Sequence, residues 1–91
     1  MVKERKNHAQ LIADLYTTLL SLKTEEEYAE FFADLCTDKE IEQMAQRLGA
    51  AKLLKEGKTY AQVIEQTDIS SATLSRVSRC LQYGEGYRKF L

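Results

Sequence analysis

The chain has 91 residues, of which 44% are hydrophobic and 30% are charged, and it contains no proline. This composition is typical of a folded domain, and no stretch approaches the roughly 20 consecutive apolar residues of a membrane span. The charged N-terminus is not followed by the apolar stretch of a signal peptide. We therefore expect a soluble, cytoplasmic protein that forms a single domain over residues 1–91.

The cysteine and histidine content does not indicate a metal site. Cys36 and Cys80 lie far apart and outside any Cys-x-x-Cys pattern, and the single histidine, His8, cannot complete a ligand set with them. Both cysteines stand among apolar residues, where a free cysteine usually behaves as a small core residue. We expect no metal ion and no metal cofactor.

The formal net charge of −1 hides an uneven distribution of charge. Residues 1–46 carry five basic and ten acidic residues, whereas residues 47–91 carry eight basic and four acidic residues. A protein can bind nucleic acid through one basic face while the rest of its surface is acidic. The same asymmetry is also compatible with ordinary surface variation.

Apolar residues recur at spacings of three and four along the chain, which predicts an all-α fold of about six helices. Thr24 with Glu27 and Thr37 with Glu40 have the spacing of capping boxes, which mark helix starts. Gly57 is expected to end the third helix. The predicted helices span residues 8–22, 25–35, 38–56, 60–67, 71–82 and 85–90.

The first predicted helix has a wide apolar stripe. Leu11, Leu15 and Leu19 recur at helical spacing, and Tyr16 and Leu20 widen the stripe. A domain of this size buries a limited share of its surface, so dimerisation would add stability. We expect the stripe to contact a partner subunit, which predicts a homodimer.

The segment from Thr59 to Leu81 has the pattern of a helix-turn-helix, in which two helices meet through a turn of three or four residues. Ala61 supplies the small residue where the second helix crosses, and Ile69 is the apolar residue of the turn. Asp68 stands where many such turns carry glycine, and aspartate tolerates a left-handed backbone better than most residues. The residues expected to face the core are Val63, Ile64, Leu74, Val77 and Leu81.

The outer face of the second helix in this segment is short, polar or basic, which suits entry into a DNA major groove. Serine and threonine can bind bases or phosphates, and arginine can bind guanine in bidentate fashion or neutralise a phosphate. The alternative is a helical hairpin with a solvated face, which leaves the concentration of helix-poor serine and threonine unexplained. The predicted DNA-binding residues are Thr59, Tyr60, Gln62, Ser70, Ser71, Ala72, Thr73, Ser75, Arg76 and Arg79.

These features favour a sequence-specific DNA-binding regulator of transcription with double-stranded DNA as its partner. A protein-interaction module that uses the same helix-turn-helix without binding DNA is the alternative. An enzyme is not expected, because the chain has one histidine, no nucleophile–base pair and no phosphate-binding loop.

Two segments resemble the Trp repressor family. The segment Thr37-Asp-Lys-Glu-Ile-Glu-Gln-Met-Ala-Gln-Arg47 is similar to the family's capped helix start, and Ala72-Thr-Leu-Ser-Arg76 is similar to its Ala-Thr-Ile-Thr-Arg. The resemblance is strongest to the YerC/YecD group. It implies a Trp-repressor-like repressor of transcription and an intertwined homodimer. The two recognition helices of such a dimer would lie about 34 Å apart, one turn of DNA.

The resemblance also implies an effector pocket. Arg47 and Arg76 match the two arginines that hold the corepressor in the family, and Thr37 matches a pocket threonine. Val77 replaces the family's glycine, and Cys80 replaces a small serine. The bulk of Val77 should crowd an indole ring, so we expect a smaller effector, or none, rather than tryptophan.

Both arginines also have simpler interpretations. Arg47 could be a surface charge that is paired with Glu40 or Glu42. Arg76 could be a plain phosphate contact, which is compatible with DNA binding.

Overall fold

A computed structural model describes Arg5 and residues 7–91 of the chain. Within these residues there are six helices and no strand, which confirms the predicted all-α class. None of these helices is long and apolar enough to cross a membrane. The helices are α1 (His8–Leu19), α2 (Glu25–Leu35), α3 (Asp38–Lys55), α4 (Tyr60–Thr67), α5 (Ser71–Tyr83) and α6 (Gly86–Phe90).

The chain divides into two compact units, Met1–Leu35 and Cys36–Leu91. The first unit contains α1 and α2, and the second contains α3 to α6. The expectation of a single domain over residues 1–91 stays a prediction, and residues 1–4 and 6 of that range lie outside the described residues.

In the first unit, α1 begins at a capping box and ends earlier than the sequence predicts. The Asn7 side chain accepts a hydrogen bond from the Gln10 amide at 2.8 Å. The structure ends α1 at Leu19 rather than at the predicted Leu22. The Leu22 amide donates to the Leu19 carbonyl at 3.1 Å, a bond over three residues that tightens the chain into a turn.

The apolar face of the first unit is exposed. Neither α1 nor α2 contains a buried residue. Leu11, Ile12 and Tyr16 are exposed, and Leu20 is 84% exposed. An aromatic pair stiffens α2, because the rings of Tyr28 and Phe32 meet edge to face with their centroids 6.2 Å apart.

The second unit is built around the packing of α3 against α4 and α5. Its buried core consists of Ala50, Ala51, Val63, Ile69, Leu74 and Val77. The two alanines of α3 are fully buried, and their short side chains allow α4 and α5 to approach closely. Five partly buried hydrophobic residues pack against this core: Leu53, Leu54, Leu81, Tyr87 and Leu91.

The predicted inner residues of the helix-turn-helix are buried or half-buried, with one exception. Val63, Leu74 and Val77 are buried, and Leu81 packs against the core. The prediction that Ile64 faces the core is wrong, because Ile64 is 37% exposed. Ile64 lies about 100° further round α4 than the buried Val63, and at that position it keeps contact with solvent.

A glycine ends α3, as the sequence predicts. Gly57 has φ 91°, which is the left-handed region. The Gly57 amide donates to the Leu54 carbonyl at 3.0 Å, and the Lys58 amide donates to the Leu53 carbonyl at 3.1 Å. These two bonds form a Schellman motif, which satisfies carbonyls that the helix end would otherwise leave unpaired.

We expect Gly57→Ala to lower the free energy of unfolding by about 1 kcal/mol, since a Cβ is unfavourable in the left-handed region. Urea denaturation followed by circular dichroism measures the change. Gly86→Ala is the matched control, because a Cβ at Gly86 meets nothing within 4 Å and its φ lies outside that region. Equal destabilisation by both substitutions would contradict this account of α3 termination.

Candidate nucleic-acid interface

Three residues connect α4 to α5 and form the turn of the helix-turn-helix. Asp68 follows α4 with φ 60° and ψ 20°, and its amide donates to the Ile64 carbonyl at 2.9 Å. Ile69 is buried, and Ser70 caps α5. Aspartate therefore adopts the left-handed conformation that glycine holds in many such turns. The helix-turn-helix geometry is complete without a glycine.

Hydroxyl groups fix both helix starts. The Thr59 hydroxyl accepts from the Gln62 amide at 3.2 Å, and the Gln62 side chain accepts from the Thr59 amide at 2.9 Å. At the start of α5, the Ser70 hydroxyl accepts from the Thr73 amide at 3.2 Å and donates to the Thr73 hydroxyl at 2.9 Å. Three of the ten predicted DNA-binding residues, Thr59, Gln62 and Ser70, thus cap helix starts in this structure, and the Thr73 hydroxyl accepts a hydrogen bond from the Ser70 hydroxyl.

The side chains of the other six predicted residues make no hydrogen bond within residues 7–91, and all six residues are exposed. Five of them lie on α5. Because α5 has 3.6 residues per turn and buries Leu74 and Val77, the positions between these two and on the side of the helix away from the core are exposed. The six residues are Tyr60, Ser71, Ala72, Ser75, Arg76 and Arg79.

The exposed face of α5 is positively charged. The helix contains Arg76 and Arg79 and no acidic residue. Neither arginine forms an ion pair within the part of the chain that the structure describes, where the recorded pair is Lys89 with Glu85 at 3.5 Å. These two guanidinium groups are therefore available to a phosphate or to the edge of a base.

The candidate effector residues meet, with one exception, at an open pocket of about 460 Å³ beneath α5. Thr37 is the exception, because it caps α3: its hydroxyl accepts from the Glu40 amide at 3.1 Å. The pocket is lined by Arg47, Arg76, Val77, Cys80, Gly84, Gly86, Tyr87 and Phe90.

Arg47 has no ion pair among the described residues, although Glu40 and Glu42 lie on the same helix. The Glu40 carboxylate instead accepts a hydrogen bond from the Thr37 amide at 2.8 Å. Backbone and side-chain hydrogen bonds from Thr37 lower the pKa of Glu40 below its ordinary value. The two arginines at the pocket, Arg47 and Arg76, therefore have no acidic partner within residues 7–91.

The sequence-based prediction did not include the pocket residues that come from the connection after α5 and from α6. Gly84 and Gly86 bracket this connection, and Tyr87 and Phe90 belong to α6. The spacing of the two glycines marks a break after α5, but it does not indicate where the following helix packs.

The sequence and the fold of this chain are similar to those of known proteins. A family model described as Trp repressor protein matches residues 5–91. The chain belongs to the Trp repressor family. Within this family it is similar to the protein YerC of Bacillus subtilis, with 53% identity over 70 residues that make up 77% of this chain and 67% of YerC.

Two solved structures of Trp-repressor-like proteins are similar to this chain. One is a TrpR-like protein from Eubacterium eligens, with 44% identity and a TM-score of 0.84 over 88% of this chain and 84% of that chain. The other is a candidate Trp repressor from Staphylococcus aureus, with 42% identity and a TM-score of 0.86 over 90% of this chain and 83% of that chain. The predicted membership of the Trp repressor family, YerC group, is confirmed.

Proposed function

We propose that this member of the Trp repressor family is a sequence-specific DNA-binding repressor of transcription and that α5 enters the major groove. The observation that carries the proposal is the outer face of α5, which combines short exposed side chains with two arginines that form no ion pair among the described residues. The helix contains no acidic residue. Membership of a family of DNA-binding regulators supports the same assignment.

The position of each exposed residue suggests which part of the DNA it contacts. Ser71, Ala72 and Ser75 are exposed and short, so the first half of α5 can approach the base edges closely. Arg76 and Arg79 lie further along the helix and reach guanine or phosphate oxygens. Tyr60, at the exposed start of α4, contacts the backbone of the duplex near the partial positive charge of the helix N-terminus.

The hydrogen bonds at the helix starts restrict how the other four predicted residues can contact DNA. Thr59, Gln62, Ser70 and Thr73 hold the first turns of α4 and α5 through their side chains. Their proposed contribution to DNA binding is therefore to orient the backbone amides and the neighbouring side chains. A direct contact to a phosphate would use a side chain that already takes part in a hydrogen bond at the helix start.

A homodimer is part of the proposal. Apolar residues of both α1 and α2, among them Leu11, Tyr16 and Leu35, are exposed in the single chain, and exposed apolar stripes of this kind mark association surfaces. A second copy of the chain would bury these stripes and present two recognition helices to a near-palindromic site.

The effector pocket is proposed as a site for a small anion with an apolar part. Arg47 and Arg76 would bind the anionic group, and Val77 and Cys80 would contact the apolar part. Val77 is only 2% exposed. We expect its bulk to crowd an indole ring, so tryptophan is not the proposed ligand.

We expect Arg76→Ala and Arg79→Ala each to lower the affinity for DNA about tenfold, because each removes a contact to a base or a phosphate. The probe is a duplex selected from a random pool with the wild-type protein, and fluorescence polarisation over a range of salt concentrations is the measurement. A phosphate contact would also reduce the dependence of affinity on salt.

Lys23→Ala, which removes an exposed cation outside the second unit, is the control and should leave affinity unchanged. Unchanged affinity in both arginine variants would place the interface elsewhere. Absence of any DNA binding by the wild-type protein, even at low salt, would favour the protein-interaction module instead.

We expect the wild-type protein to sediment with about twice the single-chain mass of 10.4 kDa. Tyr16→Glu should shift it toward the monomer, because the substitution puts a charge into the exposed apolar stripe of α1. Thr17→Glu, on the same helix but outside the stripe, should leave the dimer intact. A monomeric wild type, or a Tyr16→Glu variant that stays dimeric, would contradict the proposed surface.

We expect L-tryptophan to give no saturable rise in the melting temperature, because Val77 crowds the place of an indole ring. A thermal-shift titration measures this, since a ligand that binds the folded state raises its stability with concentration. A saturable rise that Arg76→Ala abolishes would overturn the argument from Val77.

A further inference from the structure

The last helix of the structure depends on tertiary contacts. Helix α6 has five residues, and the side chain of Glu85 at its start makes no capping hydrogen bond. A helix this short does not form on its own in water. Two of its contacts supply the missing stability, because Tyr87 and the adjoining Leu91 pack against the core of the second unit.

The connection from α5 to α6 is tight. The Gly84 amide donates to the Cys80 carbonyl at 2.8 Å. A Cβ at Gly84 would lie 2.7 Å from the same carbonyl oxygen, so the backbone comes closer here than any other residue would allow. The connection between the end of α5 and the start of α6 is therefore short and closely packed.

The part of α5 from Arg76 onward borders open space. Two open pockets lie along it, of about 430 and 460 Å³. The first is lined by Leu54, Lys55, Ser78, Leu81, Gln82, Tyr87 and Arg88. Tyr87 lines the second as well, so this residue borders both pockets. The first half of α5 is anchored differently, because Leu74 and Val77 are buried there.

We propose that Tyr87 is a positioning residue for DNA recognition and that its ring holds the second half of α5 in one orientation. The proposal rests on the proposed function. Leu81 is the other apolar anchor of this half, and it is half-buried. Without the ring the two pockets merge, and the end of α5 that carries Arg79 samples a wider range of directions.

Loss of the Tyr87 ring is expected to affect specific and non-specific DNA binding differently. Non-specific attraction depends on the number of cations, which the loss of an aromatic ring does not change. Contacts to base edges require the helix at one depth and angle in the groove. Loss of the Tyr87 ring therefore lowers sequence discrimination more than it lowers non-specific affinity.

The test compares Tyr87→Ala and Tyr87→Phe with Leu53→Ala. The Tyr87 hydroxyl has no recorded hydrogen bond within residues 7–91, so phenylalanine keeps the whole contact. Leu53 packs against the same core from α3 but lines neither pocket, which makes it a control for general loss of stability. Two quantities are measured: the affinity ratio between a selected duplex and a scrambled one, and hydrogen exchange of the α5 amides in the free protein.

For Tyr87→Ala we expect the affinity ratio to fall at least tenfold and the amides of residues 78–83 to exchange at least tenfold faster relative to those of α3. Tyr87→Phe should match the wild type in both measurements. Leu53→Ala should lower the melting temperature while it leaves the affinity ratio and the relative exchange of α5 unchanged.

Unchanged exchange in α5 of Tyr87→Ala would overturn the positioning role, whether or not DNA binds. An equal fall of the affinity ratio in Leu53→Ala would also overturn it, since that result would reflect stability alone. A wild-type protein without DNA affinity whose α5 exchange still depends on Tyr87 would instead overturn the proposed function and leave the contact between α6 and α5 standing.

Discussion

The burial of the inner side of α5 is the interaction on which the second unit depends. Leu74 and Val77 pack in the core with Ala50 and Ala51 of α3 and Val63 of α4. Because a helix turns by about 100° per residue, this burial leaves Ser71, Ser75, Arg76 and Arg79 of α5 exposed to solvent. The same packing that stabilises the unit therefore creates the surface that we assign to DNA.

The polar residues of the helix-turn-helix divide into two groups with different roles. Thr59, Gln62 and Ser70 satisfy backbone amides at the starts of α4 and α5, which short helices need for stability, and Thr73 bonds the Ser70 hydroxyl. The exposed residues of α5 carry no such bond and remain open to a partner. Under the proposed function, substitutions in the first group would change the local fold and DNA binding together, whereas substitutions in the second group would change binding alone.

The two units differ in how their apolar surface is used. The second unit has a buried core, whereas the first exposes the stripes of α1 and α2. An exposed apolar stripe costs free energy in water, so a second copy that covers it would link association to stability. The two pockets along α5 also depend on how α6 packs. Helix α6 is short, and Tyr87 is the one described residue that lines both pockets.

The sequence by itself determined the six helices, the capping boxes, the glycine stop of α3 and the inner and outer faces of α5, because periodicity and capping act over a few residues. Only the tertiary structure decided that Ile64 is exposed, that Thr37 lies outside the pocket, and that Tyr87 and Phe90 of α6 line it. These outcomes depend on contacts between residues that are far apart in the chain, and no local pattern encodes which helix will lie beside α5.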